Sequence, residues 1–165
     1  MLTDEELLLA VLNSAPVVDG RATDDLEGAP GRELALSWGG VGTADEVAQL
    51  RRARGALQAV VRVGGPEVVD ELASIVEGAV RAPRVTQDGV VWELLAADDD
   101  RLATEAVVAW SSVHDRFPGR LRACANDECN LFLVDHSRPG TAKWCSMATC
   151  GNRMKARSHA SRSRA

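Results

Sequence analysis

Cysteine occurs four times in these 165 residues, and all four fall within one short stretch: Cys124, Cys129, Cys145 and Cys150. The pattern is C-x4-C-x15-C-x4-C, two equal pairs with a segment between them. The preceding 123 residues contain none. Cysteines scattered through a core have no reason to pair at equal spacing. Three arrangements account for such a cluster: two disulfides, four packed free thiols, or one tetrahedral metal site.

Disulfides persist in oxidising compartments. The start of this chain, Met-Leu-Thr-Asp-Glu-Glu, is acidic where a secretory signal is basic, and no apolar run reaches membrane-spanning length. The sequence therefore predicts a soluble cytoplasmic protein with no membrane partner. Paired cysteines around an intervening segment have the spacing of structural Zn(Cys)4 sites. The expected cofactor is one structural Zn2+ per chain, held by Cys124, Cys129, Cys145 and Cys150. His136 lies between the pairs, but four thiolates already close a tetrahedron, which leaves it as a polar turn residue. A closed site offers no position to water, so zinc hydrolysis is not expected. No Ser-His-Asp arrangement, nucleotide loop or paired-carboxylate motif stands elsewhere, and His114 has no paired ligand motif. The chain is not expected to be an enzyme.

Residues five apart on a regular helix point about 140° away from each other. Cys145 is therefore expected on a turn before a helix, with Cys150 in its first turn, where free N–H groups favour thiolates. Arg122, Lys143 and Arg153 are candidates to offset the thiolate charge. Gly151 is expected to permit close backbone approach, and Asn152 to bond the local backbone. Between the pairs, Leu131 to Val134 is β-prone and Pro139-Gly140 marks a turn. Knuckle, hairpin and helix around one ion give a treble-clef-like outline.

Charge divides the chain at about the same place. Residues 1–115 carry 9 basic and 21 acidic side chains, net −12, and residues 116–165 carry 10 and 3, net +7. An acidic body with a basic end suits a regulatory domain joined to a nucleic-acid-binding module. The bland alternative is two solvated surfaces that dock on each other.

The acidic part reads as helical. Thr3-Asp-Glu-Glu6 and Thr43-Ala-Asp-Glu46 have capping-box spacing. A first helix runs to about Leu12, and residues 14–31 read as a loop or short turns. "GRELALSWGG" forms a short helix stopped by Gly39-Gly40. Val47, Leu50, Arg54, Leu57 and Val61 mark an amphipathic helix. Pro66 opens another, with Val69, Leu72, Ile75, Val76 and Ala79 as its buried stripe. "RVTQDGVVWEL" reads as a hairpin at about 84–95, turning at Asp88-Gly89 and packed on helices. Val85, Val90, Trp92 and Leu94 share one of its faces, and Arg84 and Glu93 pair on the other. A last helix buries Leu102, Ala106, Trp110, Val113 and Phe117, and Trp92 and Trp110 are both expected in the core. Phe117-Pro118-Gly119 is the expected boundary.

Residues 120–162, with four cysteines, the Cys-Ala-Asn start, the Phe132-to-Asp135 strand and turn, and the "WCSMATCGNR" block, closely resemble the CGNR zinc finger family, named for Cys150-Gly151-Asn152-Arg153. In that family the finger follows an N-terminal domain called ABATE, which residues 1–118 resemble in position, length and helix-hairpin-helix order. The Leu12-Asn13-Ser14 stretch is similar to its opening motif. The resemblance implies a zinc-containing, DNA-binding transcription regulator responsive to stress.

The expected fold is thus mainly α (α+β): an ABATE-like helical domain with one β-hairpin at 1–118, then a small treble-clef-like zinc finger at 119–165 with a basic helix and a frayed tail from about Ser158. The expected DNA contacts are Arg138 and Lys143 on the finger and Arg153, Lys155, Arg157, Arg162 and Arg164 on the helix. At 100° per residue, Arg153, Arg157 and Arg164 share one side and Lys155 and Arg162 lie nearly opposite. Met154, Ser158 and Ser161 form a stripe expected to pack inward. DNA is the expected partner, and the N-terminal domain is expected to sense a signal or form a homodimer. A zinc-stabilised protein-interaction module without DNA binding is the alternative.

Overall fold

Thr3 opens the first helix as the capping box requires. Its hydroxyl accepts from the Glu6 N–H at 3.3 Å, and its own N–H donates to Glu6 Oε2 at 2.6 Å. The helix, α1, spans Asp4–Leu12 and buries Leu7, Leu8, Val11 and Leu12. A computed structural model describes residues 3–164; Met1, Leu2 and Ala165, the outermost residues of the two expected domains, lie outside the described residues.

The stretch expected as a loop or short turns holds a small hairpin. Val17–Val18 (β1) and Arg21–Ala22 (β2) pair antiparallel around Asp19-Gly20. Both turn residues take positive φ, +50° and +74°, as a primed hairpin turn demands. This Asp-Gly signal was legible in the sequence. α2 spans Gly28–Ser37 and ends where Gly39 turns left-handed at φ +79°.

α3 spans Ala44–Arg62 and α4 spans Pro66–Ile75, with Pro66 in the first turn as expected. The second capping box forms only by half. Thr43 Oγ1 accepts from the Glu46 N–H at 3.0 Å, but the Glu46 carboxylate accepts from the Gly42 N–H at 2.7 Å instead of from Thr43. Glu46 is fully buried, and its Oε1 has no partner among the described atoms. On α4 the buried residues are Leu72 and Ile75, whereas Val69 is exposed, because only one narrow side of this short helix meets α3 and the last long helix.

That last helix, α5, spans Asp98–Arg116. Leu102, Ala106 and Val113 are buried as the spacing predicts, while Trp110 and Phe117 are half-buried. α1, α3 and α5 pack on one another around these residues and Leu50, Ala53 and Leu57. Arg54, the polar member of the α3 stripe, turns to Asp24 in a two-pronged pair at 2.6 and 2.9 Å and to Ser14 Oγ at 3.0 Å. The Arg54 guanidinium holds the Asp24 carboxyl down to about 2. Among the described residues no helix is long and apolar enough to cross a membrane.

The expected hairpin exists but differs in start, register and packing. β3 is Val80–Thr86 and β4 is Gly89–Leu95, with Thr86 opposite Gly89, Arg84 opposite Val91 and Pro83 opposite Trp92. The turn is therefore Gln87-Asp88, one residue before the expected Asp88-Gly89. Pro83 explains the shift. A turn at Asp88-Gly89 would place Pro83 in a hydrogen-bonded pair, where it has no N–H to give; the observed register puts it in a non-bonded pair. A slip of two in pairing keeps each side chain on its face, so the expected faces survive. Arg84 and Glu93 form their ion pair diagonally.

The packing expectation fails more plainly. Only the root of the hairpin meets the helices, where Trp92 and Leu94 line a hollow of about 360 Å3 with Leu7, Trp38 and Val108. Trp92 is 63% exposed, not a core residue.

The C-terminal part begins with β5, Leu121–Ala123, paired antiparallel with β6, Phe132–Val134. Phe132 and Val134 belong to the same buried cluster as the helices. Asn13 clasps this strand: its Nδ2 donates to the Phe132 carbonyl at 3.1 Å, and its Oδ1 accepts from the Phe132 N–H at 2.7 Å. Asn130 answers from the other side, donating to the Ala15 carbonyl at 2.5 Å and accepting from the Val17 N–H at 3.0 Å. The Arg62 guanidinium lies over the Phe132 ring, 4.4 Å from its centroid. The chain ends in a π-helical turn, Met147–Gly151, running into α6, Asn152–Ser163. α6 is continuous past Ser158, where fraying was expected.

Candidate metal centre and basic helix

The Cys124–Cys129 pair sits on a knuckle that leaves β5. Cys124 N–H donates to the Leu131 carbonyl at 2.8 Å, and Cys129 N–H to the Asn126 carbonyl at 2.8 Å, which closes the turn. Asn126 tightens it further: its Oδ1 accepts from the Glu128 N–H at 3.2 Å, the local bond that suits Asn to turns. The Cys145–Cys150 pair follows the expected plan. Cys145 lies outside the helix and Cys150 lies in its first, π-helical turn. Ser146 caps that turn by accepting from the Thr149 N–H at 3.4 Å. Because Cys145 precedes the π turn, no helix spans the two cysteines and the 140° separation of a regular helix does not apply to them.

The four sulfurs lie within 4.8 Å of one another. Cys129 and Cys145 Sγ are 3.7 Å apart, and Cys145 and Cys150 Sγ are 3.6 Å apart. A tetrahedron with zinc–sulfur bonds of about 2.3 Å has edges of about 3.8 Å. The donor set and its spacing fit one structural Zn2+. His136 is not part of it: its Nε2 pairs with Glu5 at 2.7 Å, and its ring stands edge-on to Phe117.

Electrostatics around the thiols follow from burial and donors. Burial pushes the Cys129 and Cys145 thiols up. Burial acts upward on Cys150 too, but the Asn126 amide and the neighbouring thiols outweigh it and leave Cys150 below its ordinary value. The Asn126 Nδ2 donates to Cys150 Sγ at 3.3 Å, and the Cys145 N–H points at Cys124 Sγ at 3.4 Å. Such donors hold the ligands in place and share their negative charge. Asn126 is buried to 1% exposure and ties both cysteine pairs together. Sequence reasoning missed this role; the signal was Asn two residues after Cys124.

The candidate counter-charges divide. Arg153 lines the same small hollow as Cys129, Cys145 and Cys150. Arg122 does not serve the thiolates. It donates to the Gly119, Gly140 and Ala142 carbonyls and lies 3.6 Å from Asp135. Asp135 is fully buried and accepts from the Ser137 hydroxyl at 2.6 Å and from the Ser137 and Ala142 N–H groups. The Ser137 hydroxyl, helped by those N–H groups and Arg120, lowers its carboxyl from the ordinary value. Arg122 and Asp135 thus brace the loop that carries Arg138 and Lys143. Gly151 also has another reason than the one expected: a Cβ there would lie 2.7 Å from Met147 Sδ and 3.2 Å from the Trp144 ring. Asn152 bonds locally as expected, donating to the Ala148 carbonyl at 3.4 Å.

All seven expected basic contacts are exposed: Arg138 and Lys143 on the loop, and Arg153, Lys155, Arg157, Arg162 and Arg164 on or beside α6. α6 buries no residue. The stripe of Met154, Ser158 and Ser161 does not pack inward, since Met154 is only half-buried and both serines are exposed. Among the described residues, two of these arginines have partners. Arg157 pairs with Glu128 of the knuckle at 2.5 Å, and Arg162 Nε donates to the Ser158 carbonyl at 3.3 Å.

Residues 120–163 match the family model of the CGNR zinc finger. A comparison with curated proteins finds no match.

Proposed function

We propose that this chain is a zinc-dependent DNA-binding transcription regulator rather than an enzyme, with the finger contacting DNA and an ABATE-like N-terminal part sensing a signal or forming a dimer. α6 carries the reading. It buries nothing, yet it starts at a zinc ligand and displays Arg153, Lys155, Arg157 and Arg162 to solvent. A helix of this length draws little stability from its own propensity, so the metal knuckle at its start is its main support. A rigidly based, exposed arginine helix suits a phosphate row or a major groove. Arg138 and Lys143, on the braced loop, supply further backbone contacts.

Fluorescence anisotropy with random duplex DNA, using the zinc-loaded full chain at two salt concentrations, tests the reading. Each lost phosphate contact lowers the salt slope by about 0.9, whereas a lost base contact costs about 1–3 kcal/mol on one sequence alone. Lys155→Ala is the cleanest substitution, because Arg153 lies against the metal ligands and Arg157 pairs with Glu128 of the knuckle, whereas Lys155 is exposed with no such partner among the described residues. No salt-dependent binding at about 50 mM salt, where phosphate contacts are strong, would refute DNA binding. The Glu128–Arg157 pair favours a second reading in that event: a zinc-stabilised tail whose arginines dock on carboxylates of a protein partner.

A further inference from the structure

The hairpin β3–β4 leaves the body by its root, and its exposed apolar residues include Val80, Val85, Val90, Val91, Trp92 and Leu95. A lone two-stranded hairpin is marginally stable in water and gains from a third strand or a covering surface. Its two edges are not equivalent. Pro83 stands in a non-bonded pair with Trp92, so along β4 the N–H and C=O groups of Val90, Trp92 and Leu94 point away from β3. No other hydrogen bond among the described residues reaches these groups. On β3 the outward positions are Arg81, Pro83 and Val85, and the central one has no donor. β3 thus carries the proline and the charges by which edges are usually blunted, and β4 (Gly-Val-Val-Trp-Glu-Leu-Leu) carries neither Lys, Pro nor a bulge.

We infer that the outer edge of β4 pairs antiparallel with β4 of a second copy of this chain, about a two-fold axis at Trp92, to give a continuous four-stranded sheet. The open groups at 90, 92 and 94 are symmetric about 92. Trp92 then bonds to Trp92 of the second copy, and Val90 to Leu94 in both directions, for about six backbone hydrogen bonds. Charge selects this surface for self-association. Residues 1–115 carry net −12 and repel a second copy, but residues 80–95 carry two arginines against two acids. Glu93, the single charge on β4, is paired with Arg84 and faces Val91 of the second copy rather than Glu93. The inference deepens the dimerising part of the proposed function and does not depend on DNA binding, so either can fail without the other.

Val85 and Val90 are opposite each other on one rung, and both direct their N–H groups outward. The substitutions V85P and V90P therefore remove the same kind of donor from opposite edges. Sedimentation velocity of the zinc-loaded full chain at micromolar concentrations is expected to give a dimer for the natural chain and V85P, and a monomer for V90P. Amide exchange at Val91 and Glu93, which bond to β3, verifies that the hairpin persists in each variant. In the natural chain the Trp92 and Leu94 amides gain protection as concentration rises. A monomeric natural chain, a dimeric V90P with its hairpin intact, or equal dissociation of both variants overturns the inference. If V90P loses its hairpin, concentration-dependent protection of Trp92 and Leu94 decides instead, and its absence overturns it.

Discussion

Replacing Asn126 by alanine tests whether this buried amide is part of the metal centre or only part of a turn. The side chain makes two bonds that alanine cannot: one accepted from the Glu128 N–H at 3.2 Å and one donated to Cys150 Sγ at 3.3 Å. A neutral bond contributes about 1 kcal/mol, and one to a charged group about 1.5–3 kcal/mol. The sulfur is charged when metal is bound, so the loss falls mainly on the zinc-bound state. Asn126 is 1% exposed, so water replaces the missing donor poorly. A loss of about 2–3 kcal/mol corresponds to roughly 30–150-fold in affinity. Removal of such outer partners typically costs about 10–100-fold, and the overlap sets the expectation at about 30–100-fold. Competition against a chromogenic chelator at neutral pH measures it directly. Asn152→Ala is the control: among the described residues its amide bonds only the Ala148 carbonyl, at 3.4 Å and in solvent, so zinc affinity should stay within about threefold. An Asn126→Ala protein that folds normally and binds zinc within about twofold of the natural chain refutes the reasoning.

Cys145→Ala should abolish stoichiometric zinc and, because structural zinc sites supply on the order of 10–16 kcal/mol, remove amide protection from the Cys124–Cys129 knuckle and the π turn, while β6 stays held by Asn13 and the helical core; metal analysis with hydrogen exchange checks both. Asn13→Ala should destabilise the chain by about 2–3 kcal/mol, since both backbone groups of Phe132 lose their partner, and should lower the thermal midpoint without reducing zinc content. Asp24 adds an acid limit. Its folded value of about 2 lies below the ordinary value of 3.8, so its stabilisation is complete above 3.8 and fades as pH falls through about 2. Asp24→Asn should cost about 1–2 kcal/mol at pH 7, after discount for partial solvent screening, and should flatten the acid limb of a stability–pH curve.

The zinc ligands were legible because tetrahedral thiolate coordination is a chemical demand met within one short segment. Spacing alone placed Cys145 before the helix and Cys150 in its first turn. The capping box at Thr3 and Pro66 in the first turn of α4 were legible for the same reason, since each is satisfied within one helical turn, and Leu102, Ala106 and Val113 of α5 followed from the helical period. The β1–β2 hairpin and the register of β3–β4 were also within reach, from Asp19-Gly20 and from the missing donor of Pro83. Burial was different. The face shared by Val90, Trp92 and Leu94 follows from alternation, but alternation does not say what arrives to cover it, and the helices reach only the hairpin root. The second arm of the Thr43 box failed because the Glu46 carboxylate found the Gly42 N–H as the helix docked. Asn126 reaches Cys150 across 24 residues, and Asn13 grips Phe132 across 119. Such bonds exist only after α1, α3 and the β5–β6 pair have packed into one core. Local chemistry therefore determined where the metal binds, and long-range packing decided what holds that site to the rest of the chain and which apolar edge stays open.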